Sequence, residues 1–315
     1  MRTPSREEIM RQIDERRNWG RWGPDDQVGA VNLVVPDKVR QAAALVTSGE
    51  RISLSRPLPV TPAPNNVRPV GHFMERRPRG RHAGAGVAAD VLFATVHGAG
   101  MTHLDALCHT WGPDGMWNGR DPDEMIEMSG VRWGGIEHWR DGIVTKGVLV
   151  DVPGHRGAEY VSYEEPVGGD ELVEIVEKQG CAVEPGDALV VYCGRDRWER
   201  EHSPWGSRAP ADMGRPATGT EQRPGLHASC LRALRDWDVA MLVWDMLDYG
   251  PNGYDIPWSV HAAIHSYGVA LVDNALLEPL ADACRAAGRH EFMLTVAPLV
   301  VVGGTGSPVN PIAVL

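Results

Sequence analysis

The stretch THLDALCH, residues 102–109, places two imidazoles and a carboxylate within eight residues. In an extended strand, residues two apart point to the same side, so His103 and Asp105 present an imidazole and a carboxylate to one point. His109 follows Asp105 by four, the spacing of neighbours on one helical face. The stretch is therefore expected to be a strand end turning into a helix, with three polar heads converging. Upstream, the glycines of HGAGMTH, residues 97–103, let the backbone fold tightly enough to return His97 to the same place. Imidazole and carboxylate together suit zinc, manganese or iron(II), and two histidines with one carboxylate leave positions open for water or substrate. A structural zinc site would be closed and usually built on thiolates; the one thiol nearby, Cys108, is expected to pack rather than to ligate.

Other chemistries find little support. HExxH and GxSxG are absent, which removes the zincin helix and the usual nucleophile elbow. GAGVAA at 84–89 has the form of a dinucleotide fingerprint but follows the basic run RRPRGRH at 76–82 instead of an apolar strand, so the context it requires is missing. The basic run itself reads as a solvated loop. With 31 Lys and Arg against 42 Asp and Glu, the formal charge of −11 repels phosphate backbones and anionic lipid heads, so neither nucleic acid nor membrane is an expected partner. The five cysteines are scattered without a C-x-x-C pair, which fits a reducing compartment. The opening MRTPSREEIMRQIDERRNWG has no apolar targeting core, and no window offers about 18 uninterrupted apolar residues. A soluble, cytoplasmic protein is the expectation.

These side chains need a frame. GVLVDV at 147–152, DALVVYC at 187–193, MLVWDM at 241–246 and VALVDN at 269–274 are short apolar runs of the kind that form strands buried on both faces. ELVEIVEKQG at 171–180 supplies a helix between the first two. FMLTVAPLVVV and PIAVL are expected to pair antiparallel around the turn GGTGSPVNP. Residues 5–18 have helical spacing, with Ile9, Met10 and Ile13 on one side of a charged segment, and predict an arm over about 1–18 on the surface or against a neighbouring subunit. Pro36 opens a further helix carrying Val39, Ala42, Ala43 and Val46 until Gly49 stops it. RISLSRPL at 51–58 alternates like a strand, and the Pro, Gly and Arg-rich 61–90 reads as a long loop. No composition break or repeat divides the chain, so residues 1–315 are read as one α/β domain.

At this point the sequence resembles the metal-dependent cyclase-type hydrolases, which include bacterial kynurenine formamidase, isatin hydrolase and trans-dienelactone hydrolase. Their signature H-x-G-T-H-x-D-x-x-x-H lines up with THLDALCH, and the blocks NWGRWGPDDQVGAVN, KGVLVDV, PGDALVVYCGR, PGLHASCLRAL and GGTGSPVNPIAV follow in family order. The resemblance implies a swivelling β/β/α fold, a mixed sheet with flanking helices, and an oligomer, a homodimer or homotetramer. It implies His103 and Asp105 as ligands of zinc or manganese, one ion or two, and His109 as the histidine that moves protons. A later histidine and a carboxylate twelve residues on complete the set, here His261 and Asp273. Two departures stand out: the family's first histidine lies four residues before the second, where this chain has Ala99, leaving His97 six before; and Asp273 replaces a glutamate. His265, one helical turn past His261, is a rival ligand or a substrate contact.

The expected reaction is hydrolysis of a small carbonyl compound, a cyclic amide, lactone or formamide, with Trp22, Trp111 and the region around 72–82 as cavity walls and the amides of GGTGS facing the developing negative charge. A dehydratase or isomerase using the same metal and base is the enzymatic alternative, and a metal-holding binding or structural protein is the alternative without turnover.

Overall fold

The apolar runs assemble into one mixed sheet in a computed structural model that describes residues 3–78, 86–207, 222–256 and 258–315. In chain order the strands are β1 (Arg51–Ser53), β2 (Gly71–Pro78), β3 (Gly86–Phe93), β4 (His103–Asp105), β5 (Ile126–Glu127), β6 (Gly130–Val131), β7 (Ile143–Asp151), β8 (Ala188–Tyr192), β9 (Met241–Trp244), β10 (Ala270–Asp273), β11 (Glu291–Val296), β12 (Gly306–Pro308) and β13 (Ile312–Val314). Nine of them form a sheet in the order β1, β13, β11, β7, β8, β9, β10, β4, β12. Its centre, β7 to β10, is parallel, and both flanks are antiparallel. Parallel strands need covered faces, and Leu149, Val150, Leu189, Val190, Leu242, Val243, Leu271 and Val272 are all fully buried. The closing pair is antiparallel as expected, with Leu294 opposite Ala313.

The flanking helices follow their sequence signals. The helix Gly169–Lys178 turns Leu172, Ile175 and Val176 inward. The first helix, Arg6–Glu15, is opened by a capping box between Ser5 and Glu8 and buries Ile9 and Ile13 against the helices Cys230–Asp236 and Ala262–Tyr267 of its own chain. Among the described residues, no helix is long and apolar enough to cross a membrane.

Four local expectations are corrected. The helix beginning at Pro36 ends at Ala43, before Val46. Only Arg51–Ser53 of RISLSRPL pairs in the sheet. The 61–90 stretch is not a featureless loop: β2 and β3 form a two-stranded antiparallel ribbon, and residues 79–85, including much of the basic run and the start of GAGVAA, lie outside the described residues. Finally, THLDALCH begins as the strand β4 but continues as a turn closed by His109 N–H donating to Ala106 O at 3.0 Å, not as a helix.

Candidate metal and catalytic centre

The site forms where the parallel strands end. Strand β10 stops at Asp273, directly opposite His103 on the antiparallel β4, while Leu271 faces Asp105. Carboxyl ends of parallel strands are where open α/β sheets present ligands. The turn after β4 brings His109 back, and His261 arrives at the start of the helix Ala262–Tyr267.

Five predicted ligands and His109 meet here. His103 Nε2 lies 3.3 Å from Asp105 Oδ1 and 3.9 Å from Asp273 Oδ2. His261 Nε2 lies 3.2 Å from Asp273 Oδ2 and 3.7 Å from Asp105 Oδ2, and His109 Nε2 lies 3.7 Å from the latter oxygen. His97, despite its offset in the sequence, sits with Nδ1 2.9 Å from Asp105 Oδ1 and its ring stacked on His109 at 3.7 Å. Gly98 makes this return possible at φ +151°, a conformation unfavourable for residues with a Cβ. Gly306, on β12, leaves the space: a Cβ there would stand 2.9 Å from His97 Cε1. The ligand atoms fall into two groups, His97–Asp105–His109 and His103–Asp105–Asp273, each within 4.8 Å and sharing Asp105.

The cluster fits a cation. Asp105 is fully buried, yet neither carboxylate oxygen accepts a hydrogen bond from a described residue, and His97 Nδ1 beside it is likewise off hydrogen-bond direction. A buried carboxylate without donors carries a large desolvation cost unless a positive charge completes it. The outer contacts set the imidazoles for ligation. His103 Nδ1 donates to Met101 O at 2.8 Å and His261 Nδ1 donates to the buried carboxylate of Asp248, which turns both Nε2 atoms toward the cluster, where loss of their protons would let them ligate. Trp244 Nε1 donates to Asp273 Oδ1, so the other oxygen turns inward, and the shorter Asp side chain still reaches. His97 Nε2 pairs with Thr305 Oγ1 at 2.8 Å.

Charge is arranged to match. Burial opposes the charged form of His103, but Asp105 and Asp273 outweigh it and raise the imidazole to about 9. Burial works against the Asp105 charge as well, yet His109 and His103 hold it well below the usual carboxylate range. His109 differs: burial dominates the pull of Asp105 and pushes it down to about 4, so it is neutral near pH 7.

A cavity of about 410 Å³ opens over the cluster, lined by His97, His103, His109, His261 and Asp273, with Val67, Val70, Met101, Leu247, Trp205 and Trp258 among its apolar walls. The three expected substrate contacts lie elsewhere. Trp22 packs on Trp117 at 6.2 Å, Trp111 is half-exposed on the surface, and His265 faces Thr110 Oγ1 at 3.4 Å; none of them lines the cavity. His265 is therefore not grouped with the metal ligands among the described residues. Nor do residues 72–78 line it, and the amides of Gly303 and Gly304 are already donated to Glu137 and Val301. Cys108 packs, as read, with its thiol toward Gly304 O. Sequence reasoning missed Asp248 and Trp244. Their signal was WDMLDYG, carboxylates just past a buried parallel strand.

Comparison with known proteins agrees with this architecture. A crystal structure described as a novel cyclase superposes with a TM-score of 0.80 at 27% identity, covering 96% of this chain and 99% of that one. Isatin hydrolase A from Labrenzia aggregata shares the fold at TM-score 0.53 and 18% identity over 87% and 98% of the two chains. A structure titled as a predicted metal-dependent hydrolase from Bacillus stearothermophilus gives 0.50 and 14% over 84% and 97%. No curated protein matches by sequence. The Cyclase family model matches residues 52–251, a span that runs from β1 past the end of β9 and takes in His97, His103, Asp105 and His109. The chain belongs to the cyclase family.

Proposed function

We propose that this protein is a metal-dependent hydrolase that opens or cleaves a small cyclic amide, lactone or formamide. The observation that carries the reading is the donorless, fully buried carboxylate of Asp105 ringed by four imidazoles and a second carboxylate at the floor of a cavity. His103, Asp105, Asp273 and His261 would hold one divalent ion, zinc or manganese, and His97 with Asp105 gives room for a second. When bound, such an ion supplies Lewis acidity toward a carbonyl oxygen and a water acidic enough to attack near neutral pH.

The chain's own residues do the rest. His109, kept neutral by burial, lines the cavity and accepts the proton lost by the attacking water. It returns that proton to the leaving nitrogen or oxygen as the carbon–heteroatom bond breaks, so one water is consumed and a carboxylate product forms. Trp205, Trp258 and Leu247 exclude bulk water and favour a flat apolar acyl compound of modest size. The likeness to isatin hydrolase makes isatin a first probe. Incubating the metal-loaded protein with isatin, formanilide and a dienelactone, followed by mass spectrometry, tests the reading: a ring-opened product heavier by one water from isatin or the dienelactone, or aniline and formate from formanilide, supports hydrolysis, and conversion at constant mass would replace it by isomerisation.

The same reading includes assembly into a homo-oligomer, in which the whole chain acts as one domain with its N-terminal helical arm. Phe73, Met74, Leu92 and Phe93 stand more than half exposed on the β2–β3 ribbon, and Leu299 and Val302 do so near β12. A two-stranded ribbon alone is marginally stable, and exposed apolar side chains on it suit a second copy of the chain.

A further inference from the structure

We infer that Arg195, acting with Asn274, is a positioning residue that holds the turn between His97 and His103, and so sets the His97 imidazole against Asp105. The inference rests on the metal-site reading above and concerns the feature in which this chain departs from the family spacing, a turn two residues longer than H-x-G-T-H.

Arg195 opens the helix Arg195–Glu201 directly after β8 and is 1% exposed. Its guanidinium reaches in three directions: Nη2 donates to Ala99 O at 2.6 Å, Nη1 to Asn274 Oδ1 at 2.7 Å and to Asp245 O at 3.3 Å, and Nε to Glu199 Oε1 at 2.8 Å. Asn274 extends the grip, donating from Nδ2 to Gly98 O at 2.7 Å and to Met101 O at 3.1 Å. Three carbonyls of the five-residue connection are thus tied to one buried pair. Glu199 Oε1 also accepts from Trp205 N at 2.8 Å, and Ala99 abuts Gly206, so the turn is tied to the cavity wall as well.

A buried guanidinium is costly to desolvate and is not an economical way to fill a core. Here two arms end on segments that carry a site residue, the His97–His103 turn and Asn274 next to Asp273, and the third ends on Glu199, which in turn holds Trp205 N. A longer turn samples more conformations, and three anchored carbonyls remove that freedom before a ligand arrives. Planar, forked donors are needed for this; a lysine has the charge but not the simultaneous reach. Asn274 itself sits at φ +57°, which asparagine and aspartate tolerate.

Two full-length variants test the inference. Arg195→Lys keeps the charge and loses the fork. Asn274→Asp keeps the backbone conformation and the acceptor for Arg195, and loses both donors to the turn. Amide hydrogen exchange on metal-stripped protein is expected to show residues 97–103 exchanging about tenfold faster in each variant, with β7 and β8 peptides unchanged. Cobalt(II) titration followed by absorption is expected to show about tenfold weaker binding, and a His97→Ala/Asn274→Asp double variant should bind no more weakly than His97→Ala alone. Unchanged exchange at 97–103 in Asn274→Asp would overturn the clamp even if Arg195→Lys fails to fold. Faster exchange with wild-type cobalt affinity would overturn its link to His97. Wild-type protein that takes up no cobalt would overturn the metal reading instead, while the exchange result still decides the clamp.

Discussion

Replacing Asp248 by asparagine changes one atom and tests how the site presents His261. Asp248 is fully buried, accepts the amide N–H groups of Val260 and His261 on Oδ1, and accepts His261 Nδ1–H on Oδ2. The two backbone donors fix the asparagine carbonyl in the Oδ1 position, which turns its NH₂ toward His261 Nδ1. Two donors then face each other, and the imidazole is relieved by moving its proton to Nε2. That nitrogen lies 3.2 Å from Asp273 Oδ2 and must be unprotonated to ligate. Loss of an outer carboxylate of this kind costs about 10–100-fold in metal affinity, or about 1.4–2.8 kcal/mol. The assay is a competition titration of zinc against a chromophoric chelator near neutral pH, using metal-stripped wild type and Asp248→Asn with matched circular dichroism. An affinity within twofold of wild type would refute the tautomer argument and remove Asp248 from the account.

Further outcomes follow from the same geometry. His109→Ala should lower kcat by about 10²–10⁴-fold with little change in KM, read by steady-state kinetics on whichever probe is hydrolysed. Because burial holds His109 down to about 4, loss of its neutral form at low pH should appear as a fall in kcat/KM only well below pH 6; a limb near the ordinary histidine value would contradict its burial. Gly306→Ala should weaken metal uptake, since its Cβ would press on His97 Cε1 and Leu104 O, and elemental analysis of the purified variant checks this. Burial pushes the thiols of Cys108 and Cys284 up to about 12 and those of Cys193 and Cys230 up as well, so in native protein a thiol reagent near pH 8 should titrate Cys181 first, and all five only on unfolding.

Much of the frame was legible because it rests on long-range burial that leaves a strong local mark. The runs 147–152, 187–193, 241–246 and 269–274 are apolar at nearly every position and too short for buried helices, as strands covered on both faces require. The core of the site was legible for a similar reason: His103 and Asp105 share a face by the two-residue period of β4. What followed was not. Helical spacing from Asp105 to His109 is reproduced by a turn, which also returns a side chain after four residues, so the pair converges without a helix. The β2–β3 ribbon lacks a buried face and so lacks alternation, leaving its Pro and Gly content to suggest a loop. Trp22 and Trp111 lie close along the chain to the NWGRWGPDDQVGAVN and THLDALCH blocks, but closeness in sequence does not place a side chain in the cavity, whose wall is built from Trp205 and Trp258 instead. Asp248 and Arg195 act through hydrogen bonds spanning 13 and 96 residues respectively, distances over which no sequence period operates.

The central claim is that the imidazoles and carboxylates around Asp105 hold a catalytic divalent ion, and metal content measures it most directly. Wild-type protein purified without added metal, analysed by elemental methods beside His103→Ala and Asp273→Ala, should contain a stoichiometric transition metal that is lost in the first variant and weakened or halved in the second. Wild-type protein that remains metal-free after incubation with zinc and with manganese would contradict the account.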